Sequence, residues 1–103
     1  MSDDAPRPVG SVHQVLAALQ DPVRLEMVRR LRNAGQPVRC GALYDGINKS
    51  TATHHFHILR DAGLIERVVA DGHTSQRLRF DDVDAVIPGL LDSVVSGVNQ
   101  EAG

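Results

Sequence analysis

Apolar residues in the first third of the chain recur every three or four positions, which is the spacing of one helical face. The pattern predicts a first helix capped by Ser11 and a second that begins at Asp21-Pro22, because aspartate accepts bonds from free amides and proline fits the first helical position. The second helix is expected to end near Asn33, before Gly35. The apolar positions of the two helices are Val12, Val15, Leu16, Leu19, Leu25, Val28 and Leu31.

A short third helix and a longer fourth helix are expected next, separated by a turn at Gly46 and Asn48. The fourth helix is predicted at about residues 49–62, where Asn48 caps it and Gly63 provides the left-handed conformation that often ends helices. A short helix, a tight turn and a longer helix form the helix-turn-helix pattern. The third helix is predicted from the apolar row Cys40, Leu43, Tyr44 and Ile47.

The fourth helix has one apolar and one polar side. Its apolar side consists of Ala52, Phe56, Leu59 and Gly63. Its polar side consists of Ser50, Thr53, His54, His57 and Asp61. His55 lies beside the apolar row, so we expect it to be partly buried and hydrogen-bonded to a neighbouring element.

After Gly63 the helical spacing gives way to β-strand patterns. Residues 65–69 are rich in β-branched side chains, and Asp71-Gly72 is a strong hairpin turn signal. In the second strand, over residues 75–80, the predicted inward residues are Leu78 and Phe80 and the predicted outward residues are Arg77 and Arg79. A helix-turn-helix followed by a two-stranded hairpin is a winged helix, a fold that is mainly α with a small β-hairpin.

The predicted elements divide the chain into three parts. Residues 1–10, MSDDAPRPVG, are expected to form a disordered tail because they are acidic and rich in proline. Residues 11–80 form the winged helix unit, with its wing at about residues 65–80. Residues 81–103 contain Pro88, which is expected to split them into a short turn and a last helix. An apolar surface suited to a second subunit is predicted at Leu90, Leu91, Val94, Val95 and Val98.

Composition and charge narrow the class of protein. With 103 residues and 42% hydrophobic content, the chain suits one small domain whose stability a partner subunit would increase. A single cysteine, the lack of an apolar run long enough for a bilayer and the acidic start predict a cytoplasmic protein. The net charge is −2, but residues 21–80 carry ten Lys or Arg against six Asp or Glu. A basic central surface with acidic ends is compatible with nucleic acid.

Metal and enzyme chemistry find little support in the sequence. His54 and His57 are the one histidine pair in THHFH with the spacing of two metal ligands on a helix, and Asp61 is the one supporting carboxylate, so a site of this kind stays open. Cys40 lies on the apolar side of its predicted helix and is read as core. No Gly-rich phosphate loop, carboxylate pair or cysteine–histidine arrangement indicates an enzyme, and no cofactor is expected.

The segments LAALQDPVRLEMVRRL, STATHHFHILRDAGLIE and RVVADGHTSQRLRF resemble those of ArsR-type winged-helix transcriptional repressors. The resemblance covers about residues 12–80. It places Thr53 and His55 at the family's serine and histidine positions, Phe56 where leucine is usual, and Arg24 at an arginine expected to form a structural ion pair. It implies a homodimer paired through its first and last helices, with residues 49–62 as a recognition helix in the major groove of double-stranded DNA.

The residues expected to contact DNA lie on the fourth helix and the wing, and those expected to pair the subunits lie on the first and last helices. The predicted DNA contacts are Lys49, Ser50, Thr51, Thr53, His54, His57, Arg67, His73, Thr74 and Arg77. The predicted dimer contacts are Val12, Val15, Leu16, Leu90, Leu91, Val94 and Val95.

The sequence departs from metal-sensing members of the family. The segment VRCG carries one cysteine instead of a pair, and residues 80–101 contain no histidine, so the metal sensor sites are expected to be absent. The inducer, if there is one, is left open: an unknown small molecule, oxidation of Cys40 or none. The alternatives to a plain repressor are a redox- or metal-responsive variant that uses Cys40 or His54 and His57, and a winged-helix module that binds proteins without specific DNA binding.

Overall fold

A computed structural model describes residues 7–102. Five α-helices and a three-stranded antiparallel sheet make up this part of the chain. The helices are α1 (Val12–Leu19), α2 (Pro22–Ala34), α3 (Lys49–Asp61), α4 (Phe80–Val86) and α5 (Leu90–Ala102). The strands are β1 (Val38–Arg39), β2 (Ile65–Ala70) and β3 (His73–Leu78). None of these helices combines the length and the apolar character needed to cross a bilayer.

The three capping residues predicted from the sequence all cap their helices. The side chains of Ser11, Asp21 and Asn48 each accept a hydrogen bond from a backbone amide in the first turn of α1, α2 and α3, at 3.1 Å, 2.8 Å and 2.8 Å. Gly35 ends α2 with a φ angle of 66°, and Gly63 follows α3 with a φ angle of 79°. Local sequence therefore sets the bounds of these helices.

The predicted third helix is wrong. The chain instead forms the short strand β1, a single 3-10 turn over Cys40–Ala42 and an irregular segment up to Asn48. Strand β1 pairs with β3, with Val38 opposite Gln76 and Arg39 opposite Ser75, so the sheet has three strands in the order β1-β3-β2 and not two. Long-range strand pairing has overridden a local helical pattern of apolar residues, which still pack on the core.

The hairpin forms as predicted, but its second strand ends at Leu78. Arg79, which was expected to point outward, is only 8% exposed. It lies at the start of α4, where strand alternation no longer applies, and its guanidinium donates to the carbonyl of Gly63 at 3.1 Å and to that of Arg7. Asp82 accepts a further bond from Arg79 at 3.2 Å, so this buried charge is fully engaged.

The core lies between α1, α2, α3, the base of the sheet and α5. Met27, Leu59 and Leu64 are fully buried there. Val15, Leu91 and Val95, which were predicted to pair two subunits, instead point into the core of their own chain and are at most 3% exposed. The reason is that α1 and α5 each pack one apolar face on the rest of the chain, and only their remaining apolar side chains are left outside.

The expected disorder of the first ten residues does not hold for residues 7–10; residues 1–6 lie outside the described range. The amide of Gly10 donates to the carbonyl of Ala62 at 2.9 Å, and Val9 packs against the core. The backbone of Pro8 and Val9 passes directly over Gly63, where a β-carbon would come within 2.6 Å of it. A glycine at the end of α3 therefore also makes room for the N-terminal segment.

Candidate nucleic-acid interface

Helix α3 is seated in the fold by its apolar side and presents its polar side outward. Ala52, Phe56 and Leu59 are buried, as predicted. All the polar side chains expected to contact DNA from this helix are exposed: Lys49, Ser50, Thr51, Thr53, His54 and His57. Because successive turns of α3 bring every third or fourth residue to one side, Lys49, Thr53 and His57 align along the edge that faces the sheet.

A cleft of about 550 Å³ separates this edge of α3 from the wing formed by β2 and β3. Six of the ten residues predicted to contact DNA line it: Lys49, Thr53, His57, Arg67, His73 and Thr74. Three come from α3 and three from the wing, which are separated in sequence by the buried corner at Gly63 and Leu64. The fold therefore brings the two predicted sets of polar residues to a single concave surface.

Arg39 and Arg60 also line the cleft. The sequence analysis did not predict either of these cations as a DNA contact. Arg60 follows His57 by three residues and Thr53 by seven, so helical periodicity alone could have assigned it to the same edge. Arg39 gave no such signal, because its position depends on the pairing of β1 with β3.

The charge of the cleft has one sign. Arg39, Lys49, Arg60 and Arg67 all line it, and none of the aspartates and glutamates of residues 7–102 does. Within residues 7–102, no carboxylate forms an ion pair with Arg39, Lys49 or Arg60. Cations that share a concave surface create a positive potential that attracts anions.

Arg77 and His54 lie outside the cleft. Arg77 follows Gln76 in β3 and therefore points to the opposite face of the sheet, where it forms an ion pair with Glu66 of β2. His54 is exposed on α3, away from the edge that faces the wing. Ser50 and Thr51 also lie outside the cleft, at the exposed start of α3.

His55 is half-buried and bonded to a neighbouring helix, as predicted. Its Nδ1 lies 3.1 Å from Nη1 of Arg24 in α2, and Arg24 also donates from Nε to the carbonyl of Ala18 at 2.7 Å. Asp21 lies 4.0 Å from both side chains. Partial burial raises the pKa of Asp21, but hydrogen bonds from the backbone amides of Arg24 and Val23, together with the charge of Arg24, outweigh it and leave the pKa below its usual value. Arg24 and His55 thus serve the packing of α3.

No group of three or more histidine, cysteine or carboxylate side chains within residues 7–102 is arranged to hold a metal ion. The rings of His54 and His55 are 5.9 Å apart and tilted by 56°, and His57 faces the cleft while His54 does not. Cys40 is half-buried at the base of the cleft, where its Sγ accepts a bond from Nε2 of Gln76 at 3.5 Å. The base is completed by Tyr44 and Phe56, whose rings meet edge to face at 6.2 Å.

Comparison with known proteins identifies the class. A sequence model described as a helix-turn-helix domain matches residues 19–68. The chain is 34% identical over 83 residues to an uncharacterized HTH-type transcriptional regulator, YceK, of Bacillus subtilis (strain 168), with 79% of this chain and 83% of that protein covered. The chain therefore belongs to the HTH-type transcriptional regulators.

Solved structures specify the fold within that class. The transcriptional repressor BigR of Xylella fastidiosa is 25% identical, with a TM-score of 0.64 over 82% of this chain and 83% of that one. An ArsR-like transcriptional regulator of Rhodococcus sp. RHA1 is 20% identical, with a TM-score of 0.62 over 87% of this chain and 85% of that one. The resemblance to ArsR-type winged-helix repressors inferred from sequence segments is confirmed, as is the winged helix fold.

Proposed function

We propose that this protein is a transcriptional repressor that binds a specific double-stranded DNA sequence in the cytoplasm. The observation that carries the proposal is the cleft between α3 and the wing, which is lined by the four permanent cations Arg39, Lys49, Arg60 and Arg67. DNA carries a dense row of phosphates, and their neutralisation by lysine and arginine supplies much of the affinity of DNA-binding proteins. The family membership and the exposed polar edge of α3 support the same role.

The proposal divides the contacts between two kinds of readout. We expect Thr53 and His57 to reach base edges from a helix in the major groove, histidine as a donor or acceptor and threonine through its hydroxyl or methyl group. Lys49 and the free amides at the start of α3 would bind phosphate, as would Arg67 and His73 of the wing. Base contacts set the sequence preference, and phosphate contacts set affinity and register.

A homodimer is part of the proposal. Val12 and Leu16 of α1 are 54% and 48% exposed, and Val86 of α4 is 59% exposed. Leu90 and Val94 of α5 are half-buried. Apolar side chains that the core leaves uncovered on α1, α4 and α5 suit a self-complementary contact about a two-fold axis. Such a dimer would place two α3 helices on a palindrome whose half-sites lie about 34 Å apart, one turn of DNA.

Selection of duplexes from a random pool by the purified protein, at two salt concentrations, tests this function. We expect a palindromic sequence to be enriched, with an affinity that falls steeply as salt is raised. Light scattering on the same sample gives the mass of the free protein and of the complex. A folded protein that enriches no sequence at either salt concentration would refute the proposal and favour a protein-binding winged helix.

A further inference from the structure

Gln76 of β3 is an anomaly at the base of the cleft. Its side chain is 3% exposed, and its amide nitrogen makes one long bond, 3.5 Å, to the sulfur of Cys40. Its Oε1 is buried and has no hydrogen-bond partner among the described residues. An unsatisfied buried acceptor costs about 1–3 kcal/mol, and such groups are rare enough that each needs a reason. The position lines the cleft, so a molecule bound there would be its neighbour.

The surroundings of Gln76 define what such a molecule would be. The rings of Tyr44 and Phe56 offer an apolar base, while Arg39 and Arg60 supply positive charge. The cleft volume of about 550 Å³ lies in the range of small-molecule sites, which is roughly 300–1,000 Å³. A DNA phosphodiester offers acceptors only, so it provides no proton for an unpaired carbonyl oxygen. An organic anion with an N–H or O–H group matches all three features.

We propose that the cleft is an effector site for a small organic anion with an apolar, preferably aromatic, body and a hydrogen-bond donor that meets Oε1 of Gln76. The regulatory part of this inference rests on the proposed function. The anion would pair with the cations of the cleft and cover Thr53 and His57. DNA binding requires the same cations and the same two side chains. Ligand and operator would therefore exclude one another directly, without a change of fold, and each would weaken the binding of the other by the same factor.

The test uses two fluorescent or calorimetric probes that differ by one donor. The first, 8-anilinonaphthalene-1-sulfonate, has an aromatic body, a negative charge and an N–H group; the second, 8-phenoxynaphthalene-1-sulfonate, keeps the body and the charge but has an ether oxygen in place of the N–H group. We expect the first to bind the full chain in the absence of DNA. Gln76→Leu should weaken its binding about tenfold, the equivalent of roughly 1.4 kcal/mol, and leave the affinity for the second probe unchanged or higher.

Two further variants separate the cleft from other surfaces. Gln36→Leu changes an exposed glutamine outside the cleft and should leave both affinities unchanged. Arg60→Gln removes a cation of the cleft and should weaken both probes alike. Thermal melts of all variants verify folding; Gln76→Leu should melt no lower than the parent, since it removes an unpaired polar atom.

Competition with the selected operator completes the experiment. The operator duplex should displace the anilino probe, and the probe should raise the dissociation constant of the duplex. Equal affinity of the parent and Gln76→Leu for the anilino probe, or lack of displacement by a duplex that does bind, would overturn the inference while the proposed function stands. Conversely, Gln76-dependent probe binding by a protein that selects no DNA would refute the proposed function and leave only the ligand site.

Discussion

The Nη1 atom of Arg24 lies 3.1 Å from the Nδ1 atom of His55. A guanidinium group can only donate, so Nδ1 of His55 accepts this hydrogen bond. Because Arg24 also holds the carbonyl of Ala18, one side chain links the end of α1, the first turn of α2 and the middle of α3. The adjacent His54 and His57 are exposed. Neighbouring histidines of THHFH therefore differ in burial and in bonding, so substitution of an exposed one is a matched control for substitution of His55.

His55→Ala should destabilise the fold by about 1–2 kcal/mol, because a half-buried arginine loses an acceptor. His54→Ala, one residue away and exposed, should change the free energy of unfolding by less than about 0.5 kcal/mol. Urea denaturation of the two variants and the parent gives both numbers. Equal, small effects of the two substitutions would contradict the structural role of His55.

The cleft and the opposite face of the sheet differ in their expected contribution to DNA binding. Arg60→Gln should weaken binding to the operator and lower the slope of log affinity against log salt by about 1, because Arg60 lines the cleft. Arg77→Gln removes the same charge but from the pair with Glu66 on the opposite face, so the slope should stay close to that of the parent. Filter binding or fluorescence anisotropy at four salt concentrations measures the slopes. If Arg77→Gln lowered the slope as much as Arg60→Gln does, the proposal that DNA binds in the cleft would be contradicted.

Gly63 is expected to be intolerant of a side chain. Gly63→Ala combines a positive φ angle with a β-carbon 2.6 Å from the carbonyl oxygen of Pro8, whereas Gly46→Ala has a similar φ angle of 72° and open space around it. The first variant should therefore lose about 2 kcal/mol more stability than the second. Thermal or urea denaturation measures the difference. If residues 7–10 did not pack over Gly63 in solution, the two variants would behave alike.

The lowered pKa of Glu26 leads us to expect a loss of stability in acid. A hydrogen bond from Arg29, opposed by partial burial and reinforced by Arg30, lowers its pKa from 4.5 to about 2. A carboxylate whose pKa falls on folding stabilises the protein above its unfolded pKa, so the contribution is complete above pH 4.5 and is lost as the pH falls toward 2. Its size is on the order of 1 kcal/mol, since the carboxylate is one-third exposed and solvent screens it.

Glu26→Gln isolates this contribution from those of other carboxylates. The free energy of unfolding of the parent should exceed that of Glu26→Gln at pH 6, and the gap should narrow steadily below pH 4.5. Urea titrations at several pH values provide the comparison. A gap that is independent of pH would show that the pairing with Arg29 and Arg30 adds nothing to stability.

Leu16→Glu tests the proposed dimer surface. Leu16 is 48% exposed on α1, and in a two-fold contact its substitution would place a new charge on both subunits. We expect sedimentation to show a shift from dimer toward monomer. Val69→Glu is the control, since Val69 is 57% exposed but lies in the wing. A dimer that survives Leu16→Glu unchanged would remove α1 from the interface.

The sequence was most informative where a structure depends on neighbouring residues. Helix α3 begins after Asn48 and ends before Gly63, as predicted, because a capping side chain and a glycine in the left-handed conformation act within one helical turn. The burial of His55 followed from its distance to the apolar row of the same helix. Arg60 was within reach of the same reasoning. Arg39 was not, because it joins the cleft only through a strand pair that spans more than thirty residues.

By itself, the sequence determined the bounds of α1, α2 and α3, the hairpin and the polar edge of α3, since each follows from hydrogen bonds and periodicity within a few residues. The tertiary structure decided what depends on distant segments meeting: β1 in place of a third helix, Arg79 turned inward and Arg77 turned away from the cleft. It also decided that Gln76 is buried without a partner for its oxygen. Burial and pairing are properties of the assembled chain, and no local pattern specifies them.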